Sequence, residues 1–484
     1  MTSHRQIFRS SAIIGGASVI NIVIGIIKVK LLAMLLGPTG VGLMGLYQNI
    51  MGMASTLAGC GVNTSGVRQL AASVGEEATL AIVRQTLWLA NLILGLAGMV
   101  LLWLLREPVA QWVFGDTAHV NEVGWLGLGV LLILIASSQM ALLHGLRRIG
   151  DLARVNIISA ILGAATSIFL VYLLGEDGVL WFVLSAPAVS ALVAGYYAAR
   201  LPRPQPAHDW QAISQQWQAM LKLGLPLMAG SLLTLATQLA GRSIILRELG
   251  LEASGYFQAA WAISMTYVGF VLSTIGTDYY PRLTAIINDL PLAKKMVNEQ
   301  AEMGLLLAGP VFLAMITFAP WVISLLYTSD FAPATDVLRW QVLGDIFKVA
   351  SWPMSIVLLA QGRGGFFIGT EAIWNFMYLG SFIMGIQEWG LVMAGVSFWI
   401  AYLIYYGLMV VLVFRLIGFK LSPRNWLVVL LLSFAGSLIL FGAAQSPGAG
   451  YAIGIAVTLV VSIYSVRRLD SLIDFREIMR RKLG

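Results

Sequence analysis

Val23-Ile24-Gly25-Ile26-Ile27-Lys28-Val29-Lys30-Leu31-Leu32-Ala33-Met34-Leu35-Leu36-Gly37-Pro38-Thr39-Gly40 is the segment on which the fold turns. From about Ser10 to Tyr47 the pattern predicts an apolar helix, a Gly37-Pro38-Thr39-Gly40 turn and the start of a second helix. Two lysines stand in otherwise hydrocarbon-like surroundings. A cation at bilayer depth costs roughly 2.5–3.5 kcal/mol on insertion scales, so it is expected to face a polar cavity or an opposite charge rather than lipid. An anionic ligand would supply that charge.

The rest of the composition agrees with a membrane setting. Apolar residues make up 58% of the chain and charged residues 11%, with a mean hydropathy of +0.83. Soluble proteins carry about 25% charged residues. The first apolar run is too long for a signal-peptide core of about 7–15 residues, so the N-terminus is expected to be retained. Cys60 is the single cysteine and can form no internal disulfide. The net charge of +7 is spread over short loops rather than gathered on one face, which argues against nucleic acid as a partner.

A membrane span needs about 20 mostly apolar residues. Hydropathy then predicts an all-α integral membrane protein of about fourteen spans. They lie near 10–36, 41–66, 79–105, 120–145, 152–174 and 179–199, then 218–248, 254–286, 298–327, 333–360, 366–387 and 390–414, and finally 425–444 and 449–466. With the N-terminus in the cytoplasm, 23 Lys and Arg residues fall on the inside and only Arg106 and Arg247 outside. That bias is what the positive-inside rule demands, and it places both termini in the cytoplasm. Lys28, Lys30, Arg242, Arg339 and Lys348 belong to neither side.

The Pro-rich stretch Leu201–Pro206 separates two halves. After it, Trp210, Ile213, Trp217 and Leu221 recur at helical spacing, so 201–217 is expected to be a linker with an amphipathic helix along the cytoplasmic interface, the alternative being an ordinary lead-in to the seventh span. The predicted organisation is an N-lobe at 1–200, that linker, a C-lobe at 218–415, a helix pair at 416–466 and a basic tail at 467–484. An internal repeat supports the two lobes. Lys28-x8-Gly37-x4-Gly42 leads to Val67-Arg68-Gln69-Leu70-Ala71, and Arg242-x7-Gly250-x4-Gly255 leads to Pro281-Arg282-Leu283-Thr284-Ala285. Pro108-x3-Trp112-Val113-Phe114 is echoed by Pro320-Trp321-x5-Tyr327 in the same register of about 213–214 residues. Six spans per half is an even number, so the halves are parallel repeats, an arrangement that places a binding site between two bundles.

These features resemble the Wzx-type polysaccharide flippases of the multidrug/oligosaccharidyl-lipid/polysaccharide (MOP) flippase superfamily. The resemblance rests on the two six-helix halves, the Lys28…Leu35-Leu36-Gly37-Pro38-Thr39-Gly40-Val41-Gly42 hairpin, the segment Val67–Ala71 and the inner linker, and it covers roughly 5–415. It implies two lobes around a central cavity and alternating access. It further implies a bacterial inner-membrane protein that moves an undecaprenyl-pyrophosphate-linked oligosaccharide to the periplasmic leaflet for O-antigen-type polysaccharide synthesis. Polysaccharide polymerase and chain-length proteins are the implied partners besides membrane lipids. The last two spans exceed the twelve-span core, as they do in related murein-precursor flippases.

Lys28 lies nine residues before Gly37, about 13 Å along a helix, and Arg242 lies eight before Gly250. By the resemblance the helices carrying them line the cavity, so Lys28 and Arg242 are expected to hold a pyrophosphate, with Lys30 as a further candidate. Arg can bind phosphate oxygens bidentately, whereas Lys acts as a point charge. Snorkelling to the interface is the bland alternative. Lys28 and Lys30 are about 200° apart on the helix, so they are not expected to serve one site.

Asp336 and Arg339 are three residues apart, as are Asp345 and Lys348, so each pair shares a helix face. Mutual neutralisation explains such pairs. The sharper expectation is that Asp345, with Glu371, carries a coupling proton or sodium ion in a network with Lys348 and Arg339. Asn21, Gln48, Asn49, Asn63 and Gln238 could contact sugar hydroxyls or simply link helices. Asp278 reads as interfacial, with a place in an inner gate as the alternative.

Catalytic signatures are missing from the sequence. No phosphate-binding Gly-x4-Gly-Lys-Ser/Thr loop, no Gly-x-Ser-x-Gly elbow and no His spacing suited to metal occurs, so neither an enzyme nor a bound cofactor is expected. The rivals are a cation-coupled drug exporter of the same superfamily and a non-transporting partner of a polysaccharide assembly complex. The first lobe has no carboxylate at mid-depth and is cationic, which suits organic cations badly.

Overall fold

Helices that are apolar on every side belong in lipid, and this chain forms little else. The computed structural model describes residues 2–202 and 209–473, leaving aside the side chains of 2–15, 17–19, 227, 277–278 and 472–473. Residues 203–208 of the linker, the end of the tail from 474 onward and the Asp278 side chain lie outside the described residues. Among the described residues there is no strand.

The helices are α1 (Thr2–Gly59), α2 (Val62–Ala72), α3 (Glu77–Leu104), α4 (Arg106–Phe114), α5 (Val120–Gly145), α6 (Ile149–Leu174), α7 (Gly178–Ala199), α8 (Trp210–Leu249), α9 (Leu251–Ile286), α10 (Leu290–Leu326), α11 (Ala334–Ala360), α12 (Gly364–Trp389), α13 (Val392–Ile417), α14 (Pro423–Gln445) and α15 (Pro447–Ile473). Eleven stretches are long and apolar enough to cross a membrane. Two of them, Ile20–Gly59 and Ile149–Ala199, each hold two spans, broken at Gly37 and between α6 and α7. With α12, which has spanning length but carries Glu371 and Glu388, fourteen spans are present among the described residues. The short α4 was not foreseen, and the span expected at 41–66 is interrupted at Cys60 and Gly61, both at positive φ.

The sequence repeat is also a repeat of backbone conformation. Gly37 has φ 60° and ψ −162°, and Gly250 has φ 89° and ψ 174°. Positive φ with extended ψ is open essentially to glycine alone. Each glycine therefore ends one span and starts the next at the same place in its half.

Two compact units result: residues 1–255 with 326–328, and 256–325 with 329–484. In the first, α8 packs on α1, α2 and α3 although it belongs to the second half of the sequence. One glycine crossing seats α8, at Gly224, and another seats the start of α9, at Gly255. A Cβ on Gly61 would lie 2.2 Å from the Gly224 carbonyl oxygen, and one on Gly255 would lie 1.9 Å from the Pro38 carbonyl oxygen. Gly42 meets the Leu251 oxygen in the same way, at 2.5 Å. Asp209 caps α8, accepting from the Gln211 and Ala212 amides at 2.9 and 3.1 Å. From there α8 is continuous, and Ile213, Trp217, Met220 and Leu221 turn into a core with Val62, Leu70, Leu87 and Leu142. Only Trp210, at 69% exposure, faces outward as an interfacial helix would require. The first turns of α8 are thus the packed lead-in to a span, because their apolar stripe finds protein to bury against.

In the second unit α11 packs with α12, α13 and α14. Val337, Leu338, Val342, Ile346 and Val349 of α11 are all fully buried. The final helix pair is fastened near the start of α10. Glu302 accepts from Arg468 Nε at 2.8 Å and lies 3.6 Å from Arg424 Nη1, while Asn298 bonds the Ser422 amide at 2.7 Å and the Asn425 side chain at 3.2 Å. Gly436 and Gly454 admit Leu343 and Thr317 at close range, so the pair is an integral part of this unit.

Candidate functional site

Two polar clusters lie among the spans, one in each unit. In the first, the Lys28 ammonium of α1 sits 4.3 Å from the centre of the Phe182 ring on α7. Such a contact contributes about 0.5–2 kcal/mol and holds the charge against the bundle. Arg242 of α8 is 2% exposed and acts electrostatically on Tyr327. Lys30, pointing the other way from Lys28, donates to the Tyr327 carbonyl. Lys30 therefore bonds Tyr327, which Arg242 reaches electrostatically, while Lys28 takes a separate partner.

The next donors on α8 have carbonyl partners too. Ser243 Oγ donates to the Val113 and Trp112 carbonyls at 2.8 and 3.0 Å, and Arg247 donates to the Gln111 carbonyl at 2.8 Å and to that of Trp112. Of the expected sugar contacts, Asn49 is buried with its amide on the Gly45 carbonyl at 2.9 Å, Asn21, Asn63 and Gln238 are half-buried, and Gln48 is exposed. The Oδ1 atoms of Asn21, Asn49 and Asn63 are buried and accept no hydrogen bond among the described residues, which leaves them able to accept from a ligand hydroxyl.

The second cluster joins α9, α11, α12 and α13. Asp345 is fully buried and one of its oxygens accepts from Ser264 Oγ at 2.5 Å, while its Oδ1 has no hydrogen-bond partner among the described residues. Lys348 approaches Met265 Sδ at 3.1 Å and lies 5.4 Å from the Tyr402 ring, within electrostatic range of Asp345 and Glu371. Glu371 accepts from Tyr405 OH at 2.9 Å. Arg339 is elsewhere, 3.2 Å from Asp336 and bonded to the Ile316 carbonyl at the same distance, so that pair neutralises itself on the helix face. Sequence reasoning missed Phe182, Tyr327, Ser264, Tyr402 and Tyr405. They are uncharged and far away in the chain from the groups they touch; Tyr327 stood out only as a member of the internal repeat, and no spacing announced the others. Among the described residues no group of three or more His, Cys, Asp or Glu side chains could hold a metal ion.

A sequence profile described as "Polysaccharide biosynthesis protein" matches residues 7–287, more than half of the chain. The chain belongs to the polysaccharide biosynthesis protein family. Among curated relatives of this family member, the lipid III flippases of Escherichia coli (strain K12) and Shigella flexneri are each 22% identical over 373 residues, 73% of this chain and 85% of the relative. Among solved structures, the lipid II flippase MurJ in an inward closed conformation matches with a TM-score of 0.71 and 14% identity over 96% of this chain and 99% of that one. An inward-facing multidrug resistance MATE transporter of the MOP superfamily matches with a TM-score of 0.69 and 18% identity over 82% and 94%.

This polysaccharide biosynthesis protein thus has the MOP flippase fold. The relatives and neighbours named here are flippases and transporters, and this chain is a multi-pass membrane protein. The resemblance seen in the Gly-Pro hairpin and the parallel halves holds.

Proposed function

We propose that this protein moves an undecaprenyl-pyrophosphate-linked oligosaccharide from the cytoplasmic to the periplasmic leaflet of a bacterial inner membrane, by alternating access, for O-antigen-type surface polysaccharide. The observation that carries the reading is the set of cations kept inside the spans of the first unit: Lys28 over Phe182, with Arg242 and Lys30 at Tyr327. Charge in hydrocarbon is tolerated where it is used, and a lipid pyrophosphate supplies two or more negative charges at that depth. The name of the lipid III flippases supports a lipid-linked glycan as substrate. Asp345, Lys348 and Glu371 supply a coupling station for a proton or sodium ion, with the open Asp345 Oδ1 as its acceptor. Polymerase and chain-length proteins would take up the exported unit.

The test is complementation. Expression in a flippase-deleted strain should restore export of a defined repeat unit, and Lys28→Ala with Arg242→Ala should abolish it at unchanged protein level. Export by the double variant would remove these cations from the substrate site. A second reading, a cation-coupled drug exporter, draws on the likeness of fold to MATE transporters; resistance to cationic dyes on expression would favour it.

A further inference from the structure

Helix α15 ends in a pattern that neither polar cluster uses. Val460, Ile463, Tyr464, Arg467, Arg468 and Ser471 follow one another at alternating steps of three residues and one, which keeps them on a single face of the helix. Together they line an open cleft of about 450 Å³. The face changes character along its length. Val460, Ile463 and Tyr464 are all exposed and form an apolar strip, and one turn further on come two guanidinium groups.

The two arginines are held differently. Glu302 of α10 accepts from Arg468 Nε at 2.8 Å, and Arg468 Nη1 donates to Ser471 Oγ at 3.4 Å, so this planar head is fixed in the wall of the cleft with further N–H groups uncommitted. Arg467 is exposed and makes no salt bridge among the described residues. No carboxylate among the described residues lines the cleft. Glu302 lies behind Arg468 and 3.6 Å from Arg424, and the exposed Asp470 stands outside the lining. A ligand that suits both ends of this face carries an anionic acceptor group joined directly to hydrocarbon. A phospholipid does so: arginine binds its phosphate oxygens in pairs, and its chains lie along the apolar strip. Basic clusters at the end of a membrane helix recognise anionic lipid in this manner.

We propose that this face of α15 binds one anionic phospholipid, with the phosphodiester between Arg467 and Arg468 and the acyl chains along Val460 and Ile463. The lipid gives Arg467 its counter-charge and adds to the fastening of α15 on α10 that Glu302 begins. The site shares no residue with either polar cluster and does not depend on the glycan reading.

Native mass spectrometry of the delipidated full chain in detergent, titrated with dioleoylphosphatidylglycerol, tests the assignment. The first lipid should bind saturably and about tenfold more tightly than dioleoylphosphatidylcholine, which has the phosphodiester without net charge. Glycerol 3-phosphate, a bare head, should not displace it; displacement would mark a site for free phosphate and overturn the lipid assignment. Arg467→Ala should weaken phosphatidylglycerol binding roughly fivefold, and Arg467→Gln, which keeps part of the stem, replaces it where the alanine variant is not monodisperse. Ile463→Ser should weaken binding as well, through the apolar strip. Lys295→Ala on α10, whose contact with Glu299 is exposed, should leave it unchanged. Equal loss in Lys295→Ala and Arg467→Ala would mean diffuse attraction to a basic surface and would overturn the site, as would equal affinity for the two lipids. Glycan export is not measured at any step, so failure here leaves the proposed function standing.

Discussion

At the scale of single residues, the two clusters predict different phenotypes. Arg242→Lys keeps the charge but loses the fork that binds two phosphate oxygens at once, so export should fall roughly tenfold, about 1.4 kcal/mol, in a glycan-export assay. Lys28→Ala also removes the ring contact at Phe182 and should cost as much or more. In the second unit, Asp345→Asn preserves size and the hydrogen bond from Ser264 but cannot exchange a proton or attract a sodium ion. Flux into proteoliposomes should then lose its dependence on an imposed gradient, whereas Tyr405→Phe should only weaken it. The charged members of both clusters were legible in the sequence because an ion in hydrocarbon is conspicuous. Ser264 and Tyr405 were not, since a hydroxyl 81 or 34 residues from its acceptor leaves no mark on composition or periodicity.

At the scale of elements, length and hydropathy told where helices exist but not which ones touch. The spans appeared near their expected places, and the glycine hairpins bend where the repeat put them. What stayed hidden was that α8 packs with α1 and α2, because that contact depends on glycines whose value lies in what they omit. The docking of α14 and α15 was equally silent. It depends on Glu302, which reads as an ordinary inner-end charge until Arg468 and Arg424 reach it. Glu302→Gln weakens charge-assisted bonds worth about 1.5–3 kcal/mol. The expected outcome is a lower thermal midpoint in detergent and earlier proteolysis after Ile417, with Glu299→Gln, whose Lys295 contact is exposed, as the unaffected comparison.

At the scale of the whole molecule, the strongest sequence signal was the imbalance of 23 basic residues against 2 across fourteen spans. It predicts that a fluorescent protein fused at either terminus matures and that alkaline phosphatase fused at the C-terminus stays inactive. Maturation at one terminus only would require an odd number of spans. The composition of the first unit carries a different consequence, for the order in which the chain is made. Translation proceeds at about 5–20 residues per second, so the six spans before residue 200 emerge several seconds ahead of α8, the helix that fills their glycine-lined seam. During that interval the bare seam is exposed to lipid and to membrane proteases. A nascent chain arrested at 200 should therefore be short-lived, while one arrested at 255 should persist, as pulse-chase of the two truncations would reveal.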